Sequence, residues 1–246
     1  MSKTLYVEFR GRGFWAFDVV SGIFLKHLVD VAEARVAVRH EPWLVEAVGH
    51  WRFNAVVSDC GLFLDDKRFW CIFECAQALG VPIYLHPSKP HPAVMGAYFA
   101  GYEELALAAW GFGIDTGAHF LRLVFAGVFD AFPSLTFILG HLGEGLPFML
   151  HRINDQTQLA AARRGLKKTP TQYLTENLVV TCSGNFSAPA FLCTVMALGV
   201  DNVLFSVDWP YESNVEAVKF LKQQQSLGLH EMEKIAHGNA ERILHL

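Results

Sequence analysis

Charge is scarce in this 246-residue chain: Asp, Glu, Lys and Arg make up 18% of it, against 52% hydrophobic residues. A chain that stays disordered has the reverse balance, so that class is excluded. The composition calls for a large buried interior, a subunit interface, or both. Basic residues are not in excess either: 20 Lys and Arg stand against 24 Asp and Glu, a net charge of −4. Nothing is left over to neutralise phosphates, which argues against a nucleic-acid partner. Long apolar runs are missing. Lys26 and Asp30, Glu103 and Glu104, and Arg122 and Asp130 interrupt the candidates before any reaches the roughly 18 residues that a spanning helix needs. No membrane partner is expected. Met1-Ser2-Lys3-Thr4 leads into a strand-like segment rather than an apolar leader, so no signal peptide is expected. Cysteine is sparse and odd in number (Cys60, Cys71, Cys75, Cys182 and Cys193). That speaks against a disulfide scaffold and for thiols in a reducing, cytoplasmic setting. Repeats and low-complexity runs are absent. A glycine-rich phosphate loop is absent too: Gly11-Arg12-Gly13 is the one candidate, and it lacks the third glycine.

What is present is an alternation of short apolar segments with helical stretches. Residues 4–8, 54–58, 81–86, 135–141, 178–182 and 203–208 read as strands. Asp65 and Asp66 can cap a helix carrying Phe69, Phe73, Ala76 and Leu79, which Gly80 and Pro82 then stop. Near-continuous apolar strands separated by helices imply a parallel sheet covered by helices. Polar residues sit where the strands end: Glu8, Asp59, His86, His141, Ser183 and Asp208. In a parallel barrel those ends converge on one face, where active sites lie. The expected fold is therefore α/β, a TIM-type (β/α) barrel. Only 52 residues precede residue 53, and three strands are wanted there. Residues 4–8 and 34–40 supply two, so the barrel is expected to be incomplete or distorted on its N-terminal side. The chain reads as one domain, 1–246, with a divergent part at 1–52.

Three strand ends carry the chemistry: Tyr84-Leu85-His86-Pro87, Gly140-His141-Leu142-Gly143-Glu144-Gly145, and Phe205-Ser206-Val207-Asp208-Trp209-Pro210. His and Asp suit a divalent cation such as zinc or manganese. His141 and Glu144, three apart after a strand, can form a hydrogen-bonded acid/base dyad. One such histidine would be an ordinary turn residue; three successive strand ends of this kind point to a functional site. His119, among Phe120, Leu121 and Leu123, reads as structural.

In these segments the sequence resembles the amidohydrolase superfamily, in its branch of metal-dependent non-oxidative decarboxylases. The pattern is nearest the γ-resorcylate (2,6-dihydroxybenzoate) decarboxylases and further from aminocarboxymuconate-semialdehyde decarboxylase. The likeness covers about residues 53–246, including FLDDKRFW at 63–70, GVPIYLHP at 80–87, residues 117–153, TCSGNF at 181–186, VLFSVDWPYE at 203–212 and GNAERIL at 238–244. It implies a carbon–carbon lyase acting on a small aromatic acid such as a hydroxybenzoate. His86 and Asp208 would be metal ligands, and Asp208 would also protonate the ring carbon that loses CO₂. His141 and Glu144 would line the pocket, with Arg152 supporting that pair or the substrate.

The first strand departs from the family. It normally ends in Glu-x-His, and here it reads Glu8-Phe9-Arg10. Glu8 fits the first ligand position, but a guanidinium cannot ligate a cation. Three readings stay open: a metal-dependent decarboxylase using Glu8, His86 and Asp208; a metal-independent lyase or cyclase in which Arg10 grips the substrate carboxylate; and a catalytically silent homologue. High hydrophobicity and an incomplete barrel also predict a homodimer or larger homo-oligomer.

Overall fold

A computed structural model of the chain describes residues 63–87 and 90–245. Expectations that fall on residues 1–62 lie outside the described residues: the strands at 4–8, 34–40 and 54–58, Glu8, Arg10 and Cys60.

The described chain opens with a tether. Asp66 caps a short turn by accepting from the Arg68 backbone N–H, while Asp65 takes the Arg122 guanidinium in two parallel bonds of 3.0 and 2.8 Å. Helix α1 (Trp70–Leu79) then stops at left-handed Gly80, as Gly80-Val81-Pro82 predicts. Strand β1 (Ile83–Leu85) follows. A helical stretch comes next: α2 (Pro92–Tyr98), α3 (Gly111–Phe125) and α4 (Val128–Ala131). Strand β2 (Phe137–Leu139) leads to α5 (Leu146–Arg163) and α6 (Pro170–Asn177), the latter opened by a Thr169/Gln172 capping box. Strand β3 (Leu178–Thr181), α7 (Ala188–Leu198) and β4 (Val203–Leu204) continue the alternation. The chain ends in α8 (Asn214–Lys222), α9 (Leu229–Glu233), a π-helical turn at Lys234–Gly238, and α10 (Asn239–Leu244).

The four described strands pair in chain order β1-β2-β3-β4, all parallel. They are shorter than the segments 81–86, 135–141, 178–182 and 203–208 that predict them. Their side chains alternate as the pleat requires. Ile83, Leu85, Phe137, Leu139, Leu178, Val180 and Val203 face the helices and join one large core with Phe73, Phe120 and Phe191. Ile138, Val179 and Leu204 face the other way, packed by Tyr84 and by Ala240 and Ile243 of α10. That second face is the interior of a barrel in the expected fold. The C-terminal turn also serves β4 directly: the Phe205 N–H donates to the Ile235 carbonyl (2.8 Å), and the Asn239 amide donates to the Val200 and Val203 carbonyls.

His119 is structural here. It is buried on α3, and its Nε2 accepts from the Leu64 N–H at 2.9 Å. Burial first, then the nearby Arg122 charge, pushes its pKa down to about 3. Cys71, Cys75, Cys182 and Cys193 are all thiols. Among the described residues, no helix is long and apolar enough to cross a membrane.

Candidate active site

The barrel-interior face of the sheet becomes polar at its C-terminal edge, since residues two beyond an inward-facing one also face inward. His86 follows Tyr84 on this side, and Ser183 follows Thr181. His86 and His141 lie edge to face with ring centres 6.5 Å apart. His141 Nδ1 is 2.6 Å from Glu144 Oε1, and its Nε2 is 3.7 Å from Asp208 Oδ2. One imidazole thus sits between two carboxylates. The Glu144 contact is a short hydrogen bond, whereas the Asp208 contact is an ion pair beyond hydrogen-bond length. Strand ends that are far apart in sequence meet at one mouth, as the pattern of polar residues predicts.

Electrostatics follow from that placement. Burial alone would push the His141 pKa down, but the two carboxylates outweigh it and hold it up at about 10. The two carboxylates thus favour the protonated ring, which when charged has an N–H on each side. Below it lies the Tyr84 phenol. Burial pushes its pKa up to about 12, against the hydrogen bonds of Thr181 and Ser183 and together with the charges of Asp208 and Glu144.

The backbone that presents these groups is strained. His141, Leu142, Gly143, Glu144 and Gly145 all have positive φ (51°, 59°, 81°, 55° and 77°), as does Asp208 (77°). Non-glycine residues in that region cost about 1–3 kcal/mol each and persist where the surroundings over-determine them, often at functional sites. Here the turn is pinned by Leu142 N–H to the Thr181 carbonyl (2.8 Å) and Gly143 N–H to the Gly140 carbonyl (2.8 Å). Gly184 allows the approach of the two reactive groups. A Cβ there would lie 2.9 Å from His141 Cδ2 and 3.1 Å from Asp208 Oδ2.

The donor set fits a divalent cation in chemistry. The His86 Nδ1–H donates to the Pro87 carbonyl at 2.8 Å, which makes Nε2 the nitrogen bearing the lone pair, as a metal ligand requires. Imidazole nitrogen and carboxylate oxygen suit zinc or manganese. Among the described residues no three His, Cys, Asp or Glu side chains are grouped to hold an ion. Glu8, the third expected ligand, lies outside the described residues, and so does Arg10. Arg152 sits on the exposed side of α5. The helix turns Leu150, Ile153 and Thr157 inward, while Arg152 shares a face with Phe148, Asp155 and Leu159. Among the described residues no hydrogen bond joins Arg152 to His141 or Glu144. Tyr84 and Thr181 were not expected in the site; counting back two residues from His86 and Ser183 was the signal.

The family profile described as Amidohydrolase matches residues 29–246. The chain belongs to that family. The match begins upstream of residue 53, where the resemblance in the sequence starts. An amidohydrolase-family relative, the gamma-resorcylate decarboxylase of Polaromonas sp. (strain JS666), is 36% identical over 187 residues, covering 75% of this chain and 57% of the relative. This chain therefore spans little more than half the length of that relative. A crystal structure of a dihydroxybenzoic acid decarboxylase from Polaromonas sp. JS666, with bound manganese and 2-nitroresorcinol, superposes with a TM-score of 0.71 at 36% identity, covering 75% of this chain and 56% of that one. The 2,6-dihydroxybenzoate decarboxylase from Rhizobium gives a TM-score of 0.74 at 26% identity, covering 98% of this chain and 84% of that one. The α/β fold with a parallel sheet is thus that of the amidohydrolase-type TIM-barrel decarboxylases.

Proposed function

We propose that this amidohydrolase is a carboxy-lyase that removes the carboxylate of a small hydroxylated aromatic acid, such as a dihydroxybenzoate, as CO₂. The observation that carries the reading is the His141 imidazole held between Asp208 and Glu144 where the strands end. Losing CO₂ from an aromatic ring requires a proton for the carbon that the carboxylate leaves. In this reading Asp208 delivers that proton, the C–H bond forms, the C–C bond breaks, and its electron pair restores the ring as CO₂ departs. His141 holds a proton 3.7 Å from the Asp208 carboxylate and reloads it, while Glu144 keeps the ring oriented and charged. The family resemblance assigns Arg152 to supporting the substrate, whereas Arg10 gripping the substrate carboxylate belongs to the metal-independent reading.

We assign His86, Asp208 and Glu8 as the ligands of a divalent cation, with manganese favoured over zinc because the Polaromonas structure carries it. Such an ion supplies charge that orients the substrate carboxylate and its neighbouring hydroxyl without redox change. A homodimer in the cytoplasm completes the proposal. Phe148 and Leu159 on α5 and Met196 on the adjoining α7 are exposed apolar groups that an interface would cover. The thiol state of the described cysteines suits a reducing compartment.

The test is turnover of a hydroxybenzoate panel by manganese-loaded protein, following CO₂ and the phenolic product together. Equimolar CO₂ and phenol from at least one hydroxybenzoate is the expected result. A protein that takes up stoichiometric manganese and turns over no member of the panel would contradict it.

A further inference from the structure

The turn that presents His141 and Glu144 runs through five left-handed residues, and a cluster of three hydroxyls lies directly beneath it. The Tyr84 hydroxyl is 3.2 Å from Thr181 Oγ1. Thr181 Oγ1 is 2.7 Å from Ser183 Oγ. The His141 N–H reaches Ser183 Oγ at 3.5 Å, a long bond at the first left-handed residue. These groups come from β1, from β3 and its end, and from the end of β2, so the cluster ties three strands together under one turn. Gly140 is the contact point: a Cβ there would lie 3.2 Å from Ser183 Oγ and 3.3 Å from the Tyr84 hydroxyl. A side chain at 140 would press on both hydroxyls, which would have to give by a few tenths of an ångström. Thr181 contributes twice, since its carbonyl also accepts the Leu142 N–H at 2.8 Å. Thr181 and Ser183 are both 3% exposed, so water does not compete for these bonds.

We propose that Tyr84, Thr181 and Ser183 are positioning residues, a buried hydroxyl cluster that fixes the left-handed turn and so sets where the His141 imidazole stands between Glu144 and Asp208. None of the three has to touch substrate. Their effect passes through the backbone of His141, whose ring must hold both carboxylate contacts at once. The kinetic part of the test rests on the decarboxylase reading; the spectroscopic part does not.

The side chain at 181 separates the roles cleanly. Thr181→Val keeps the shape and removes the hydroxyl, whereas Thr181→Ser keeps the hydroxyl and removes a methyl. With 2,6-dihydroxybenzoate as the probe, Thr181→Val and Tyr84→Phe should each lower kcat about tenfold or more, as misplacement of a catalytic group does, with KM within about twofold. Thr181→Ser should stay within about threefold of wild type. Tyr84→Phe combined with Thr181→Val should be no worse than the poorer single variant, because both break one cluster. In protein labelled with ¹⁵N-histidine, the His141 Nδ1–H resonance bonded to Glu144 should be kept in wild type and Thr181→Ser and be shifted or broadened in Thr181→Val. The proposal is overturned if Thr181→Ser falls as far as Thr181→Val, if KM rises with kcat unchanged, or if the His141 resonance ignores the hydroxyl. Wild-type protein that turns over nothing but shows the spectroscopic contrast would sink the decarboxylase reading and leave the positioning role standing.

Discussion

On the face turned to the helices, Ile83, Leu85, Phe137, Leu139, Leu178, Val180 and Val203 are each 1% exposed or less. On the opposite face the same strands carry Tyr84 and Thr181, with His86, His141 and Ser183 just past their ends. Alternation along four short strands therefore sorts one set of residues into two materials. The helix-side face is aromatic and aliphatic, with Phe120, Phe129 and Phe137 meeting at ring distances of 5.5 to 6.0 Å. The interior face has a small apolar floor of Ile138, Val179 and Leu204 and a polar, charged upper layer. The first face holds the fold. The second gives up stability at four non-glycine positive-φ positions, His141, Leu142, Glu144 and Asp208, and in packing an imidazole between two carboxylates.

That division has consequences in opposite readouts. Asp208→Asn should have the largest effect on turnover, a fall on the order of 10²–10⁴-fold as for loss of a general acid, with a small change in melting temperature. An amide neither donates the proton nor binds a cation well. Phe137→Ala should do the reverse and cost about 3–5 kcal/mol of stability, seen as a lower denaturant midpoint, while any protein still folded keeps its turnover. An Asp208→Asn variant that unfolds, or a folded Phe137→Ala variant that is inactive, would blur the two faces. His141→Ala should lower turnover by less than Asp208→Asn and leave manganese content intact by elemental analysis, since His141 is assigned to the proton path and not to the ligand set. Loss of the metal from that variant would reassign His141 as a ligand.

The fold and the strand-end residues were legible because a buried parallel strand reads as an apolar run, and the His or Asp that follows it marks the mouth. His86, His141 and Asp208 each stand at such a break. The hydroxyl layer was harder to see. Tyr84 lies inside Val81-Pro82-Ile83-Tyr84-Leu85-His86, where an aromatic reads as core, and Thr181 lies at the end of a β-branched run that any strand favours. The left-handed turn was hidden for another reason. Gly143 and Gly145 signal positive φ, but His141, Leu142 and Glu144 adopt it in a turn pinned from outside by the Leu142 N–H to the Thr181 carbonyl, and no local propensity reports that. Arg152 enters through the family resemblance alone: helical spacing puts it with Phe148, Asp155 and Leu159 on the exposed side of α5, and nothing local marks it for the site.

An effect seen only in acid, and absent at neutral pH, lies in the helix-side half. His119 is neutral in the fold with a pKa near 3, whereas an exposed histidine titrates near 6.5. Its contribution to stability is present above about pH 6.5 and is lost as pH falls toward 3, because protons favour the unfolded chain. His119→Gln, which keeps an acceptor for the Leu64 N–H, should flatten that acid limb in pH-dependent urea unfolding without altering turnover at neutral pH. An unchanged acid limb would assign the loss to other groups.

The central claim is that the upper interior layer exchanges a carboxylate for a proton at one ring carbon. It is tested most directly by running the manganese-loaded enzyme on 2,6-dihydroxybenzoate in D₂O and reading the product by mass and NMR. The account predicts one deuterium per CO₂ released, located at the carbon that carried the carboxylate. Product without CO₂, or CO₂ with no deuterium at that carbon, would contradict it.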